Sequence, residues 1–327
     1  MKLYPMKFDP IYQYRIWGGR RLTNLLSKPL PPDDPIGEAW ILSDREDHSS
    51  KVTEGDLKGK TISQLMEHHP RQLMGKLDGK FKKFPLLLKF LDCRQVLSVQ
   101  VHPSDDRKKY IPKGDTGKTE SWVVLEAGKD AVIYAGLKPG TNEDELKALL
   151  AKNNVADALA HFKPNVGDSV LIKAGTVHTL GDVVVFEVQE NIDTTYRLYD
   201  WDRVDKKTGK PRDLQVEQAM ACIDFNATAI KPVKPVIETR RAELRERLIA
   251  DTHFTMWRLT GRDEFNVGEN DTPRILVCVD GGGALESDNE SYPLSKGEVM
   301  LLPAVAGQCN FIPKGKVVLL EIALPGE

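Results

Sequence analysis

Short segments rich in β-branched and aromatic residues, each closed by Gly, Asp, Asn or Pro, recur along the chain and limit what it can fold into. Such segments are typical of strands in a β-sandwich or barrel. Before residue 190 they are FPLLLKFLD (84–92), VLSVQVH (96–102), SWVVLEA (121–127), DAVIYAGL (130–137), DSVLIKA (168–174) and VVVFEVQ (183–189). Nearer the end they are FTMWRLTG, PRILVCVDG, EVMLLPA and VVLLEIAL. The sequence therefore predicts a mainly β protein.

Helices are predicted at three places. TISQLMEHHPRQLM starts with Thr61 and Gln64 at capping-box spacing, and Pro70 must break or restart the helix. TNEDELKALLAKNNVADALAHF opens with Thr141, has early acidic residues and then places leucines at helical spacing. DLQVEQAMACI (213–223) is the third. Helices are thus additions to a β body.

A proline-rich and then charged stretch, 229–248, has the composition of a connector. It divides the chain into a first domain at 1–229, a connector at 230–248 and a C-terminal domain at 249–327. GDSVLIKAGTVH (167–178) and GEVMLLPAVAGQ (297–308) repeat one pattern at an offset of 130 positions. This repeat predicts that the two β domains arose by duplication.

Composition narrows the class of protein. The chain of 327 residues is 40% hydrophobic and 29% charged, with a net charge of −2, so it lacks the basic character expected of a nucleic-acid-binding protein. It has neither a run of apolar residues that could cross a membrane nor the apolar core of a signal peptide, so we expect a cytoplasmic location. The scattered Cys93, Cys222, Cys278 and Cys309 are predicted to be buried, reduced thiols.

The stretch LSVQVHP places Gln100 and His102 two positions apart in a predicted strand that ends at Pro103. Side chains alternate along a strand, so these two polar groups share one face while Val99 and Val101 share the other. If the valines face the core, Gln100 and His102 point into the same space.

A metal site requires several N or O donors that converge at about 2.0–2.2 Å. His178 follows a glycine turn in AGTVH, and Glu120 lies where a polar loop gives way to a strand. Together with Gln100 and His102, they form a donor set that suits Zn²⁺ and tolerates Co²⁺, Mn²⁺ or Fe²⁺. The repeated strand in the C-terminal domain has Gln308 in place of the histidine, so the first domain carries the candidate site.

Each of these signals has a simpler structural interpretation. A single histidine in a strand is more often a core or surface residue than a ligand, and Glu120 alone would be an ordinary carboxylate at a strand edge. Only the combination indicates a metal. The remaining histidines are interpreted as structural: His48, His68, His69, His161 and His253.

The ordered motifs SVQVHP, GKTE, AGTVH and NIDTTYRLYDW resemble those of the type I phosphomannose isomerases, and AGTVH resembles the second box of cupins. RIWGG (15–19), IGEAWILSD (36–44) and FPLLLKFLD extend the likeness from near the N-terminus to about residue 225. The resemblance implies two cupin-like barrel or jelly-roll domains, with a small helical portion in the first. It also implies one Zn²⁺ per chain at the positions of Gln100, His102, Glu120 and His178, with Co²⁺ or Mn²⁺ as substitutes.

The resemblance implies interconversion of mannose 6-phosphate and fructose 6-phosphate through an enediol. It assigns catalytic positions to Lys118 and Arg197. Lys118 or a metal-bound water could be the base, and Arg197 could hold an enediolate oxygen or the phosphate. The usual Lys-Pro-Glu of the family is here Lys-Thr-Glu, and Lys173 replaces the usual proline before AGTVH.

Three further positions are candidates for substrate binding. Lys89 and Ser98 match positions near the sugar phosphate, and Ser98 shares a strand face with Gln100. Trp17, followed by two glycines, could contact substrate or belong to a structural turn. The structural alternatives are that Lys89 is a surface lysine and that Arg197 pairs with Asp193 or Asp200.

Two other classes of protein remain as alternatives. One is a cupin that binds a sugar phosphate without turnover, although Lys118, Glu120 and Arg197 together argue against it. The other is a metal-dependent cupin oxygenase, whose sites resemble three histidines with a glutamate, whereas Gln100 stands here for one histidine. The expected partner is a small phosphosugar, with no nucleic acid or membrane partner and a monomeric or weakly homo-oligomeric state.

Overall fold

The computed structural model describes residues 2–26 and 28–326. Its helices are α1 (Ile62–His68), α2 (Pro70–Met74), α3 (Glu143–Leu150) and α4 (Val216–Cys222). The strands before residue 212 are β1 (Met6–Lys7), β2 (Ile11–Gly19), β3 (Ile36–Leu42), β4 (Asp44–Arg45), β5 (His48–Ser49), β6 (Leu86–Cys93), β7 (Val99–Val101), β8 (Glu120–Leu137), β9 (Leu159–Phe162), β10 (Ser169–Ile172), β11 (His178–Glu190), β12 (Tyr196–Tyr199), β13 (Val204–Asp205) and β14 (Lys210–Pro211). Those after it are β15 (Val236–Arg240), β16 (Glu243–Ala250), β17 (Thr255–Gly261), β18 (Phe265–Val267), β19 (Arg274–Asp280), β20 (Gly282–Ser287), β21 (Glu290–Ser295), β22 (Val299–Leu302), β23 (Cys309–Pro313) and β24 (Val317–Ala323).

A nine-stranded antiparallel sheet forms the body of the first part of the chain. Its main order is β10-β8-β11-β6-β3-β2, with β7 paired to β11 and β12, and with β9 paired to β8. The predicted β class is confirmed. The segments predicted as two strands, 121–127 and 130–137, are instead one strand, β8. Irregular pairing with β11 between Gly181 and Val183 bends the ladder there and lets β8 run on past Gly128.

The predicted helices form, but they are shorter than their patterns. Thr61 caps α1 with the predicted capping box, and Pro70 starts the new helix α2. In the second helix the cap is Asn142, not Thr141, because the Asn142 side chain accepts the amide N–H of Glu145 at 2.9 Å. The remainder of that pattern forms a 3-10 turn (Val155–Ala158) and then β9.

The later part of the chain is a second antiparallel β structure. A seven-stranded sheet, β1-β22-β19-β24-β17-β16-β15, packs against a four-stranded sheet, β18-β23-β20-β21. Buried residues of both sheets, including Leu259, Phe311 and Leu319, form one hydrophobic cluster between them. This arrangement is a two-layered β-sandwich.

The two halves of the chain are not joined by a free linker. Most of the predicted connector, 230–248, belongs to strands β15 and β16 of the seven-stranded sheet. Val233 donates its amide N–H to the carbonyl of Ser169 at 2.8 Å, beside the edge strand β10. One hydrophobic core includes Phe90 and Phe186 from the first half together with Ile275 and Ile322 from the second. The division at 229 and 249 stays a prediction, but the halves share this core.

Two predictions made from composition, on the cysteines and on membrane-spanning segments, can be compared with the structure. All four cysteines are buried and free of disulfides, as expected of reduced thiols. Within the described residues, none of the helices combines the length and apolar character needed to cross a bilayer.

Candidate metal centre and active site

Strand β7 has the two-faced pattern predicted for it. Val99 and Val101 are buried in a hydrophobic cluster that also contains residues of α3 and α4. Gln100 and His102 therefore point to the opposite side of the strand. Gln100 lies directly across the ladder from His178 at the start of β11, and from Arg197 on β12. Cross-strand partners share a face, so the three strands present polar groups to one space.

All four predicted ligands lie together. The Nε2 atoms of His102 and His178 lie 3.4 Å and 3.3 Å from the two carboxylate oxygens of Glu120. The Gln100 amide nitrogen is 3.2 Å from His178 Nε2. His102, Glu120 and His178 are almost completely buried, and each offers a donor atom within 4.8 Å of the others.

Hydrogen bonds fix how both imidazoles are protonated. His102 Nδ1 lies 2.9 Å from the carbonyl of Thr194, and His178 Nδ1 lies 2.9 Å from the carbonyl of Thr176. A carbonyl only accepts, so each Nδ1 carries the proton and each Nε2 presents a lone pair to the cluster. Burial and then Lys118 lower the pKa of His102 to about 3, and burial lowers the pKa of His178. Both rings are neutral at physiological pH, as metal ligands require.

Glu120 supplies the negative charge of the cluster. Burial raises its pKa, but the positive charge of Lys118 outweighs that effect, so the pKa lies well below its usual value. Lys118 Nζ is 2.7 Å from Glu120 Oε2 and 3.2 Å from His102 Nε2. Even so, neither carboxylate oxygen receives a hydrogen bond of acceptable geometry.

These observations fit a divalent cation. A buried carboxylate without hydrogen bonds normally costs stability, and two imidazole lone pairs aimed at the same point offer it no protons. Rotating the Gln100 amide by 180° would direct its oxygen, an acceptor, to the same point. The set is then two imidazole nitrogens, a carboxylate and an amide oxygen, a combination typical of metal sites.

A cavity of about 370 Å³ opens beside the cluster. Gln100 and Lys118 line it, so the cluster borders the cavity through these two side chains. Ser98 and Trp17 line it as well, and Ser98 Oγ lies 3.4 Å from the Gln100 oxygen. The volume suits a small polar ligand.

Lys89 also lines this cavity and is not the surface lysine of the structural alternative. Its Nζ lies 3.4 Å from Glu187, 3.6 Å from Asp193 and 4.9 Å from the centre of the Trp40 ring. Burial lowers its pKa, but Glu38 and Glu187 outweigh that effect and raise the pKa above its usual value. The lysine is therefore a buried, charged side chain.

Arg197 lines the cavity with a guanidinium whose hydrogen-bonding capacity is partly unused. Its Nη1 donates to the carbonyl of Asp213 at 2.8 Å, while its buried Nε has no partner. Asp200, one of its two suggested ion-pair partners, instead binds Arg203 and Arg212 at 2.5 Å and 2.6 Å. Asp193 lies within ion-pair distance of Lys89. Burial and then Arg212 lower the pKa of Arg197, so a bound anion would stabilise this guanidinium.

Comparison with known proteins decides the family. The profile "Phosphomannose isomerase type I, catalytic domain" matches residues 6–120, and "Mannose-6-phosphate isomerase, cupin domain" matches residues 249–321. Mannose-6-phosphate isomerase ManA of Bacillus subtilis is 36% identical over 94% of this chain and 96% of that protein. The chain belongs to the type I phosphomannose isomerase family.

Further relatives and solved structures agree with this family. Mannose-6-phosphate isomerase of Streptococcus mutans is 33% identical over 88% of this chain and 89% of that protein. The crystal structure of mannose 6-phosphate isomerase from Bacillus subtilis covers 98% of this chain and all of that one, with a TM-score of 0.90 and 28% identity. A phosphomannose isomerase from Salmonella typhimurium, at 18% identity and a TM-score of 0.77, shows the same fold. The predicted cupin architecture is thereby confirmed.

Sequence reasoning missed several charged residues of this type I site. Arg15 and Glu38 form an ion pair at 2.9 Å in the cavity wall, and Glu187 accepts a hydrogen bond from Trp122 Nε1 at 2.9 Å. Burial and then Glu120 raise the pKa of Glu187. A glutamate within the apolar run VVVFEVQ was the available signal, since a charge is rarely placed in a buried strand without a partner.

The glycines after Trp17 have a structural reason in this type I fold. Gly18 and Gly19 belong to strand β2, not to a turn. A Cβ at Gly18 would lie 2.4 Å from the backbone nitrogen of Gly37 on β3, so only glycine permits this approach. Trp17, whose side chain is buried, still reaches the cavity wall.

Proposed function

We propose that this chain interconverts mannose 6-phosphate and fructose 6-phosphate. The observation that carries the proposal is the buried cluster of donors that borders, through Gln100 and Lys118, a cavity with an incompletely bonded arginine. Isomerisation removes a proton from C2 of the open-chain aldose and adds one to C1, while the C1 oxygen gains a proton and the C2 hydroxyl loses one. Charge develops on the two sugar oxygens during this exchange.

Gln100, His102, Glu120 and His178 would hold one divalent cation per chain. When bound, such an ion supplies Lewis-acid polarisation of the neighbouring sugar oxygens. The donor set favours Zn²⁺, with Co²⁺ or Mn²⁺ as substitutes. The Thr194 and Thr176 carbonyls keep the two imidazoles in the tautomer that can ligate.

Lys118, as the neutral amine, is the proposed base that carries the proton between C2 and C1. It is buried, lines the cavity, and lies within 3.2 Å of His102 Nε2, so its amine is next to the place where the sugar oxygens would bind. A base must lie within hydrogen-bond reach of the proton it removes. C1 and C2 are bonded neighbours, so one amine could serve both carbons.

Arg197 is the proposed electrostatic residue. Its free Nε would donate to an enediolate oxygen or to the phosphate, and a guanidinium does not release its proton at physiological pH. Ser98, Lys89 and Trp17 are proposed to shape the sugar-phosphate pocket. Lys89 already has three carboxylates within 4.0 Å, so we assign it to ordering the pocket wall as well.

The direct test is conversion of mannose 6-phosphate to fructose 6-phosphate by the purified protein, before and after chelation and after zinc is added back. Activity that chelation removes and zinc restores supports both the reaction and the metal. A zinc-loaded protein that binds the sugar phosphate without converting it would favour a binding cupin. Oxygen consumption with iron would favour an oxygenase.

The proposal extends to the roles of the two parts of the chain, the cellular location and the oligomeric state. The metal and substrate residues all lie within 1–229, and we propose this range as the catalytic part, with the C-terminal sandwich at 249–327 lacking the ligands. A cytoplasmic protein that is a monomer or weak homo-oligomer remains our expectation. Size-exclusion chromatography with light scattering tests the oligomeric state.

A further inference from the structure

A histidine of the second half, His253, reaches the catalytic part of the chain. It lies in the turn between β16 and β17, where its Nδ1 is 2.7 Å from Asp251 Oδ1. Its Nε2 lies 3.6 Å from Glu190 Oε2 and 4.0 Å from Asp105 Oδ2. Both of those carboxylates belong to the first half, so one imidazole faces acidic groups from both halves.

The two carboxylates hold the segment that carries Lys118 and Glu120. Glu190 Oε2 accepts the amide N–H of Thr119 at 2.8 Å, and the Glu190 amide in turn donates to the Thr119 carbonyl at 3.2 Å. Asp105 Oδ1 accepts the amide N–H of Gly117 at 2.7 Å. The residues on both sides of Lys118 are therefore bound to acids that face His253.

We propose that His253 is a positioning residue, which holds residues 117–120 in place from the second half of the chain through Glu190 and Asp105. Its effect on turnover rests on the proposed function, whereas its effect on the order of the segment does not. The sequence alone predicts an ordinary structural histidine at His253, and nothing in its local pattern distinguishes it.

Charge supports this arrangement. Asp251, Glu190 and Asp105 all face the ring, and Lys173 Nζ lies 3.9 Å from Asp251 Oδ2. The hydrogen bond to Asp251 raises the pKa of His253, with Glu190 adding to the effect. A protonated ring donates Nδ1–H to Asp251 and turns Nε2–H towards the other two carboxylates. At 3.6 Å and 4.0 Å the latter contacts are ion pairs, which act through charge.

Thr119 makes the link possible. Its amide N–H is the donor to Glu190, and a proline at this position would have no amide N–H to donate. Proline is tolerated at the start of a strand, and β8 begins at the next residue, Glu120. The change Thr119→Pro therefore removes the hydrogen bond while the extended backbone is retained.

Three variants test the proposal against an exposed control: His253→Gln, Thr119→Pro and the double variant, with His68→Gln on α1 as control. Amide hydrogen exchange by mass spectrometry reads residues 117–120 directly, and kcat, KM and zinc content are measured in parallel. We expect His253→Gln to speed exchange in that segment and to lower kcat by about tenfold, because small misplacements of catalytic groups are costly. KM and zinc content should stay near the parent values.

The double variant separates positioning from a general loss of stability. Thr119→Pro removes the link through Glu190 but leaves the bond between Asp105 and the Gly117 amide. If His253 acts in part through the Thr119 amide, the double variant should therefore lose less activity than the sum of the two single losses. Additive losses, or unchanged exchange at 117–120 in His253→Gln, would overturn the proposal, and the exchange result holds even if the protein does not isomerise mannose 6-phosphate. Should His253→Gln fail to fold, Glu190→Gln removes the same contact from the other side and is read in the same way.

The same three side chains have donor atoms close enough to hold a metal ion, which gives a competing outcome. The parent protein would then bind two equivalents of zinc and His253→Gln only one. That result would replace the positioning role with a second metal site.

Discussion

The segment 167–178 and its repeat at 297–308 have a similar backbone but different chemistry. Each begins at a glycine with positive φ, +90° at Gly167 and +83° at Gly297, and each enters a four-residue strand two positions later. The first ends at the buried His178, and the second at the exposed Gln308. The β structure of this segment can therefore be repeated without the histidine of the candidate metal site.

The two halves also treat buried charge differently. In the second half Glu321 is neutralised within the fold, since Arg245 and Arg274 lie 2.8 Å and 3.7 Å from its oxygens. In the first half Glu120 is just as buried and also has a cation nearby, since Lys118 Nζ lies 2.7 Å from its Oε2. Neither of its oxygens receives a hydrogen bond, however, and two neutral imidazoles face it. A buried carboxylate whose hydrogen-bonding capacity the protein leaves unused is the better guide to function.

The largest effect is expected from removing both imidazoles. His102→Ala with His178→Ala should abolish metal binding and lower turnover by more than about a thousandfold, because half the donor set is lost. Circular dichroism should still show a folded protein. The matched change in the other half, Gln308→Ala, should leave both metal content and turnover unchanged. Metal retained by the double variant would contradict the ligand assignment.

A change of the proposed base should affect chemistry alone. Lys118→Arg keeps a cation beside Glu120, but a guanidinium does not release its proton to become a base, so kcat should fall by about 10²- to 10⁴-fold. Zinc content, measured by atomic absorption, should be unchanged. Lys296→Arg, an exposed lysine ahead of the repeated strand, is the control. Near-parental turnover in Lys118→Arg would assign the proton transfer to another group.

Lowering the pH should remove the contribution that a buried carboxylate of the first half makes to the free energy of unfolding. Burial raises the pKa of Glu38, but Arg15 and Lys89 outweigh it and lower the pKa from 4.5 to about 2. A depressed pKa stabilises the folded state above the unfolded value of 4.5, and this contribution is lost as pH falls towards 2. The free energy of unfolding, measured with urea, should therefore fall less steeply across this window in Glu38→Gln than in the parent.

The control for the acid experiment is Glu264→Gln, which changes an exposed carboxylate of the second half. Its unfolding free energy should follow the parent curve through the same window. If Glu38→Gln also follows the parent curve, the Arg15–Glu38–Lys89 cluster does not carry the acid sensitivity.

The smallest effect is expected from restoring a histidine to the repeat. Gln308→His should add no metal, since residues 254–326 contain no cluster of acidic, histidine or cysteine side chains that could complete a site. Zinc stoichiometry measures this. A second equivalent of zinc in Gln308→His would show that a histidine at this strand end is enough to create a metal site. That result would contradict the contrast drawn between the two segments.

Much of the candidate site follows from local sequence rules. Alternation in LSVQVHP is enough to place Gln100 and His102 on one face, and the glycine turn before His178 marks a strand start. The helix caps are similarly local, although the choice of Asn142 over Thr141 depended on one hydrogen bond.

Long-range contacts could not be predicted from the sequence. The union of 121–127 and 130–137 into β8 depends on irregular pairing with β11, and the ordering of 230–248 into β15 and β16 depends on the sheet they join. The ion pairs around Lys89 and the approach of His253 to Glu190 join residues far apart in the chain. No local sequence pattern predicts which distant residues these side chains contact.

Strand β1 pairs with β22, so Met6 and Lys7 lie opposite Leu301 and Met300. During synthesis the ribosome releases these two residues nearly 300 positions before their partners. Strand β1 must wait for nearly 300 further residues, and the shared core is completed only after those residues have been made. A nascent chain of this kind exposes apolar surface for a long time, so we expect its yield in cells to depend on chaperones more than its final stability would indicate.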